Sequence, residues 1–243
     1  MNRSNTAVSV QPAEDVNWLA RPLVPGDWFQ LTADETAEVL GQLKNYLQVT
    51  PEMPPFLDRA EVHGMRARTL DFYPGWLLVE CQAALNSETV ALFNFFFGPS
   101  GAILLDGRSD VLHAFNAMVP VAIENPALAA QYLMLFCSAV RSELGRFEII
   151  TDPGQIAFLP GQQPDQMALA RSLVLPLSAQ VENDAGIEFQ AIVRYGDGLF
   201  STRFRVPPNG RVEMLDDQPL EIEAGIETET FVGPFRLPQV GSQ

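Results

Sequence analysis

From Thr32 the apolar positions Val39, Leu40, Leu43, Tyr46 and Leu47 recur at three- and four-residue spacing, the period of one helix face. Thr32 with Glu35 three residues on makes a capping box and starts that helix. Thr50-Pro51 ends it, and PEMPP (51–55) follows as a rigid connector. From Glu61 the texture changes. RARTLDFY, WLLVECQAAL and TVALFNFFF, then the shorter AILLD, are rich in apolar and β-favouring residues, separated by Pro-Gly and Asn-Ser-Glu turn signals. They predict strands. Val111 to Val121 fits helix or loop equally. A second helix has Asn125 as N-cap, Pro126 at its first position and Gly145 just past its end. Its apolar residues, Leu128, Tyr132, Leu133, Leu135, Phe136, Val140 and Leu144, leave little polar surface, so it packs on more than one side. RFEIIT reads as a strand and FLPGQQPDQ as a surface loop. LVLPLSAQVE, IEFQAIVRY, LFSTRFRV and RVEMLD then read as strands.

FFFGPSGAILLDG (95–107) sets three aromatics against a Pro-Ser-Gly corner and a second apolar run. Proline pre-sets φ at the first central position, and Ser-Gly suits a corner that needs a positive φ. A hairpin accounts for the stretch without a ligand. The chain uses the device twice, since FRVPPNGRVEMLD (204–216) also runs from strand through Pro-Asn-Gly to strand and Leu-Asp. Each block follows a helix and two earlier strands. The fold class expected is therefore α+β, with two helix-plus-antiparallel-sheet lobes and the outline of a pseudo-duplication. Residues 1–25 form a flexible lead-in, pinned at Trp18 and Trp28. The lobes take 26–121 and 122–220, and 221–243 is an acidic tail with room for one strand, ETFVGPF. A cleft between the lobes is the default place for a small-ligand site.

Composition narrows the function classes. The chain has 243 residues, 47% hydrophobic and 19% charged, enough for a substantial core. A formal charge of −15 disfavours both nucleic acid and anionic membrane faces as partners. The N-terminus lacks the apolar run of a secretory signal and no stretch is long enough to span a bilayer, so a cytoplasmic protein is expected. Cys81 and Cys137 sit in apolar runs and read as buried thiols.

Catalytic signatures are scarce. The two histidines, His63 and His113, have no metal-ligand spacing, GxSxG is absent, and GPSG is neither a phosphate nor a dinucleotide loop. No metal and no cofactor is expected. His113 follows Asp106 and Asp110, an arrangement that orients a general base or leaves a half-buried surface histidine. The acids Asp216, Asp217, Glu221, Glu223, Glu227 and Glu229 read as a solvated strand face. Arg66 with Arg68, and Arg203 with Arg205, sit at i and i+2 in strand-like runs, which puts each pair on one sheet face. They clamp an anionic partner or pair with neighbouring acids. With His113 they are the candidate ligand-binding residues.

The expected function is a non-catalytic protein-interaction module with a protein partner or a homo-oligomeric state. The alternatives are an enzyme or ligand binder using the cleft, and a structural subunit docking through helix 126–144. An acidic helix-plus-antiparallel-sheet chain resembles, in outline only, the small acidic chaperones of bacterial secretion systems, which hold extended client segments in exposed apolar grooves. No motif carries that resemblance residue by residue, and it assigns no family.

Overall fold

In a computed structural model of the chain, the described residues are 16–47, 61–222, 226 and 229–237. The PEMPP connector and the acids Glu223 and Glu227 lie outside them. Along the chain, β1 (Phe29–Gln30) precedes α1 (Ala33–Leu47), and then come β2 (Glu61–Thr69), β3 (Leu77–Ala84), β4 (Val90–Gly98) and β5 (Gly101–Leu105). Next are α2 (Ser109–Met118), α3 (Pro126–Ala139), β6 (Arg141–Ser142), β7 (Gly145–Arg146) and β8 (Glu148–Ile150). A 3₁₀ turn (Pro153–Gln155) and α4 (Pro164–Ser172) lead to β9 (Ser178–Asn183), β10 (Gly186–Tyr195), β11 (Gly198–Val206) and β12 (Glu213–Pro219). β13 (Thr230–Val232) and β14 (Phe235–Leu237) come last. The fold is α+β with antiparallel sheets. No helix among the described residues is long and apolar enough to cross a membrane.

Two compact units result. Described residues 16–47, 61–70, 75–105 and 231–237 form the first; 71–74 and 106–222 with 226, 229 and 230 form the second. The break falls after Leu105, so α2 belongs with the second unit.

The first unit is a seven-stranded sheet in the order β1-β2-β3-β4-β14-β13, with β5 also paired to β4. Val39, Leu40 and Leu43 of α1 pack on Met65, Val79, Cys81, Phe93 and Phe95, which alternate onto one face of β2, β3 and β4. The capping box forms as the sequence requires. The Thr32 N–H and hydroxyl each donate to Glu35 Oε2 at 2.8 Å, and the Glu35 N–H donates to Thr32 Oγ1 at 3.3 Å. Gly98 pairs directly with Gly101, so Pro99-Ser100 closes β4 onto β5 as a plain hairpin. The positive φ the corner needs falls on Gly101, at 139°.

The second unit is a five-stranded sheet in the order β12-β11-β10-β8, with β9 pairing the first half of β10 and β8 its second half. In α3 the Asn125 side chain accepts from the Ala127 and Leu128 N–H groups at 3.0 Å, with Pro126 at the first position. Eight of its residues, from Ala129 to Ala139, are buried. The expected repeat of a helix and four strands is not reproduced, for β2 to β5 follow α1 whereas the expected second helix, α3, is followed by β6, β7, β8 and α4 before β9 to β12. The two Pro-X-Gly corners differ as well, for the Pro-Asn-Gly corner is a longer loop between Val206 and Glu213.

Four further expectations are corrected. Helix α3 stops at Ala139, well before Gly145, because Val140 turns extended and Gly145, at φ 115°, serves the small β6–β7 hairpin instead. FLPGQQPDQ is loop only up to Gln163, where Pro164 opens α4; Ala170 is its one buried residue, too faint a stripe to read as a helix. Residues 16–25 are not a free lead-in, and lie on the first sheet. The acidic end supplies two strands rather than one, and β14 pairs with β4 because Phe235 and Arg236 have buried partners there.

Asn125→Ala removes the acceptor for two helix N–H groups. It is expected to lower unfolding free energy by about 1 kcal/mol with an unchanged m-value, read by urea denaturation.

Candidate functional site

The face of the first sheet opposite α1 carries a cluster of polar side chains among the buried Leu78, Leu92 and Phe96. Arg66, Glu80 and Asn94 stand directly opposite one another across β2, β3 and β4, and so share that face. Gln82 and Arg236 both stand opposite Leu92, one pleat along. Glu80 is wholly buried, and its carboxylate is met by four donor groups. Oε1 accepts from Arg66 Nε at 2.7 Å and from Arg66 Nη2. Oε2 accepts from Asn94 Nδ2 at 3.1 Å and Arg236 Nη2 at 3.0 Å. A buried carboxylate persists only with such donors, because loss of hydration costs several kcal/mol. Burial holds the Arg66 guanidinium below its ordinary value, Glu80 opposes that shift, and Arg236 adds to it.

Over this face runs the irregular segment 16–25, and side chains of the sheet grip its main chain. Gln82 is bidentate, accepting from the Leu19 N–H at 3.0 Å and donating to the Asn17 carbonyl at 3.0 Å. Arg66 Nη2 donates to the Ala20 carbonyl at 3.1 Å and Arg236 Nη2 to the Arg21 carbonyl at 2.7 Å. Arg68 donates to the Pro25 carbonyl. The indole of Trp18 lies 4.1 Å from the Arg66 guanidinium carbon and that of Trp28 lies 5.6 Å away, so both tryptophans pin the segment. Gly64 leaves room for Val16, whose side chain sits where a Cβ would project. Arranged this way, the face binds a bent, non-strand segment chiefly by main-chain groups, with an aromatic side chain read by stacking.

Of the residues singled out by sequence, Arg66 and Arg68 belong to this site. The other three lie in the second unit. Arg205 forks to Glu188 Oε1 at 2.7 Å and 3.2 Å and to Glu213 Oε2 at 3.3 Å, tying β11 to both neighbours. Arg203, on the same face, is exposed and stands opposite Gln190 and Asp216. His113 projects from α2 beside the Phe136 ring, centroids 5.7 Å apart. No hydrogen bond, ion pair or ring contact among the described residues joins His113 to Arg203 or Arg205. Of the two acids expected beside His113, Asp106 binds Arg108 at 2.7 Å and Asp110 acts on the imidazole by its charge. Glu229, expected in a solvated row, instead pairs with Arg146 at 2.6 Å.

Other reactive groups are committed to structure. Cys81 and Cys137 are buried free thiols that burial pushes up, away from the thiolate. Tyr73 donates to Asn116, Asn116 Nδ2 donates to the Tyr132 hydroxyl at 2.8 Å, and Tyr132 donates to the Gly210 carbonyl at 2.6 Å. Burial pushes the Tyr132 phenol up to about 12. No group of three or more His, Cys, Asp and Glu among the described residues is placed to hold a metal ion.

Sequence reasoning missed Glu80, Gln82, Asn94 and Arg236. The signal was present, for WLLVECQAAL and ALFNFFF each set polar residues inside a run otherwise suited to burial. Buried polar groups need partners, which marks such positions as members of a network.

Glu80→Leu leaves Arg66 and Arg236 without their carboxylate and is expected to cost on the order of 3–5 kcal/mol in urea denaturation. His113 gives a pH signature. Burial lowers its pKa from 6.5, Arg211 lowers it further, and Asp110 opposes both. The unfolded chain therefore binds this proton more readily than the folded one. The contribution is fully present above pH 6.5 and is lost as pH falls below it. Thermal melts from pH 8 to pH 5, on the order of the range histidine titrates, are expected to fall less steeply in His113→Gln than in the parent.

Comparison with protein-family models, curated proteins and solved structures finds no match, so the site's own geometry carries the functional reading.

Proposed function

We propose that this chain is a non-catalytic interaction protein that holds irregular polypeptide segments by their main chain. The observation that supports this is the grip on residues 17–25. Gln82, Arg66, Arg68 and Arg236 all bond to main-chain groups of one segment that forms no strand with the sheet. Main-chain recognition draws affinity from backbone groups that every sequence carries and leaves specificity to a few side chains. The stack on Arg66 is the specific element here.

The net charge of −15 adds a long-range preference for basic partners and against polyanions. In this reading the protein works in the cytoplasm, bound to a protein partner or to further copies of itself.

The test uses the full chain with fluorescein-labelled, reduced and carbamidomethylated ribonuclease A, a basic and permanently unfolded probe. Saturable binding by anisotropy, weakening as salt rises, is the expected result. An anisotropy that stays flat up to about 100 μM protein, roughly −5.5 kcal/mol of binding, would remove the interaction reading.

A further inference from the structure

Residues 17–21 cover charges rather than a core. None of the five is buried, and Leu19 is 44% exposed. Beneath them lie Arg66, Glu80 and Gln82, groups that regain water when uncovered. Lifting this stretch therefore gives up little apolar burial, which makes it a low-cost opening within the first unit. The next residues behave differently. Leu23 and Val24 are 6% and 4% exposed, and anchor the chain. Pro22 stands between the two parts. It has no N–H, so no main-chain donor is left unpaired at the junction when the stretch before it lifts off the anchors.

What the sheet reads in 17–21 is nearly independent of sequence. Gln82 takes one N–H and one carbonyl, and Arg66 and Arg236 take two successive carbonyls. Trp18 is recognised by its side chain, through Arg66. A segment that bends as residues 19–20 do, with an aromatic residue two positions before the carbonyl that meets Arg66, satisfies these groups.

We propose that residues 17–21 are a displaceable resident, and that a segment of another polypeptide following the same bent path takes their place on Gln82, Arg66 and Arg236. An aromatic residue stands in such a segment where Trp18 stands. This rests on the interaction reading above and adds its site, its gate and its ligand class. The resident competes in cis, so the affinity for an incoming segment is reduced by the fraction of time the face is open.

The test keeps the full chain. The probe is a fluorescein-labelled peptide of residues 16–25, VNWLARPLVP, with a second peptide in which the tryptophan is replaced by alanine. Two variants loosen the resident independently: Trp18→Ala removes the stack, and Leu19→Pro removes the N–H bound by Gln82. Circular dichroism selects whichever variant keeps the fold. Anisotropy is expected to show the probe binding a loosened variant at least tenfold more tightly than the parent, the alanine peptide at least fivefold more weakly, and added Gln82→Ala weakening both. A native mass spectrum showing dimers of the parent that the probe dissociates identifies the same segment of a second copy as one such occupant, and supports the proposal. Equal binding to parent and loosened variants, or binding indifferent to Gln82→Ala, overturns it. No binding of the probe also overturns it, while binding of the unfolded ribonuclease decides the interaction reading separately.

Discussion

Glu80 carries its carboxylate at zero exposure in a central strand of the first sheet, and much of that unit is arranged to meet it. One oxygen takes Arg66 from β2; the other takes Asn94 from β4 and Arg236 from β14. Arg236 lies 156 residues further along the chain, so the pairing recruits the end of the polypeptide into a sheet built near its beginning. The same arginine reaches on to the Arg21 carbonyl, 215 residues away. Through one buried charge and its partners, β2, β3, β4, β14 and the segment before β1 are held together. The arrangement is demanding, because a buried ion pair breaks about even only when its geometry is complete.

The two faces of this sheet obey different physics. Under α1, Leu43, Met65, Val79 and Phe93 give ordinary apolar packing, whose driving force scales with area removed from water. On the opposite face the cluster around Glu80 adds ionic and hydrogen-bonded contacts, which depend on direction rather than area, to the apolar packing of Leu78, Leu92 and Phe96. A cover on the first face is a core element. A cover on the second is a ligand in all but connectivity, held by groups that water can also satisfy.

The second unit uses polar groups differently. Arg146, Glu148, Arg194 and Glu229 form a chain of ion pairs linking β7, β8 and β10 to the residue before β13. The Tyr73–Asn116–Tyr132 relay ends on the Gly210 carbonyl and so docks the β11–β12 corner against α2 and α3. Gly210 sits at φ 69° with Asn116 and Tyr132 where a Cβ would project, so that corner needs glycine for both conformation and space. The two Pro-X-Gly turns thus share local chemistry and differ in role: one closes a hairpin, the other is a docking point.

Local chemistry was legible in the chain itself. The Thr32–Glu35 box, the Asn125-Pro126 start, the Pro99-Ser100 hairpin and the strands from Glu61 to Leu105 follow from capping, φ preferences and alternation, which act over a few residues. So did the burial of both cysteines. The partners of Arg66 were not legible, because Glu80, Trp18 and Arg236 come from three separate stretches and meet only when the sheet forms. Nor was the second role of Gly145, since the end of α3 depends on Val140 turning extended into a hairpin. Spacing along a strand places two arginines on one face. Which charge stands across from them, and what covers both, is a property of strand order and register, and that only the tertiary structure decided.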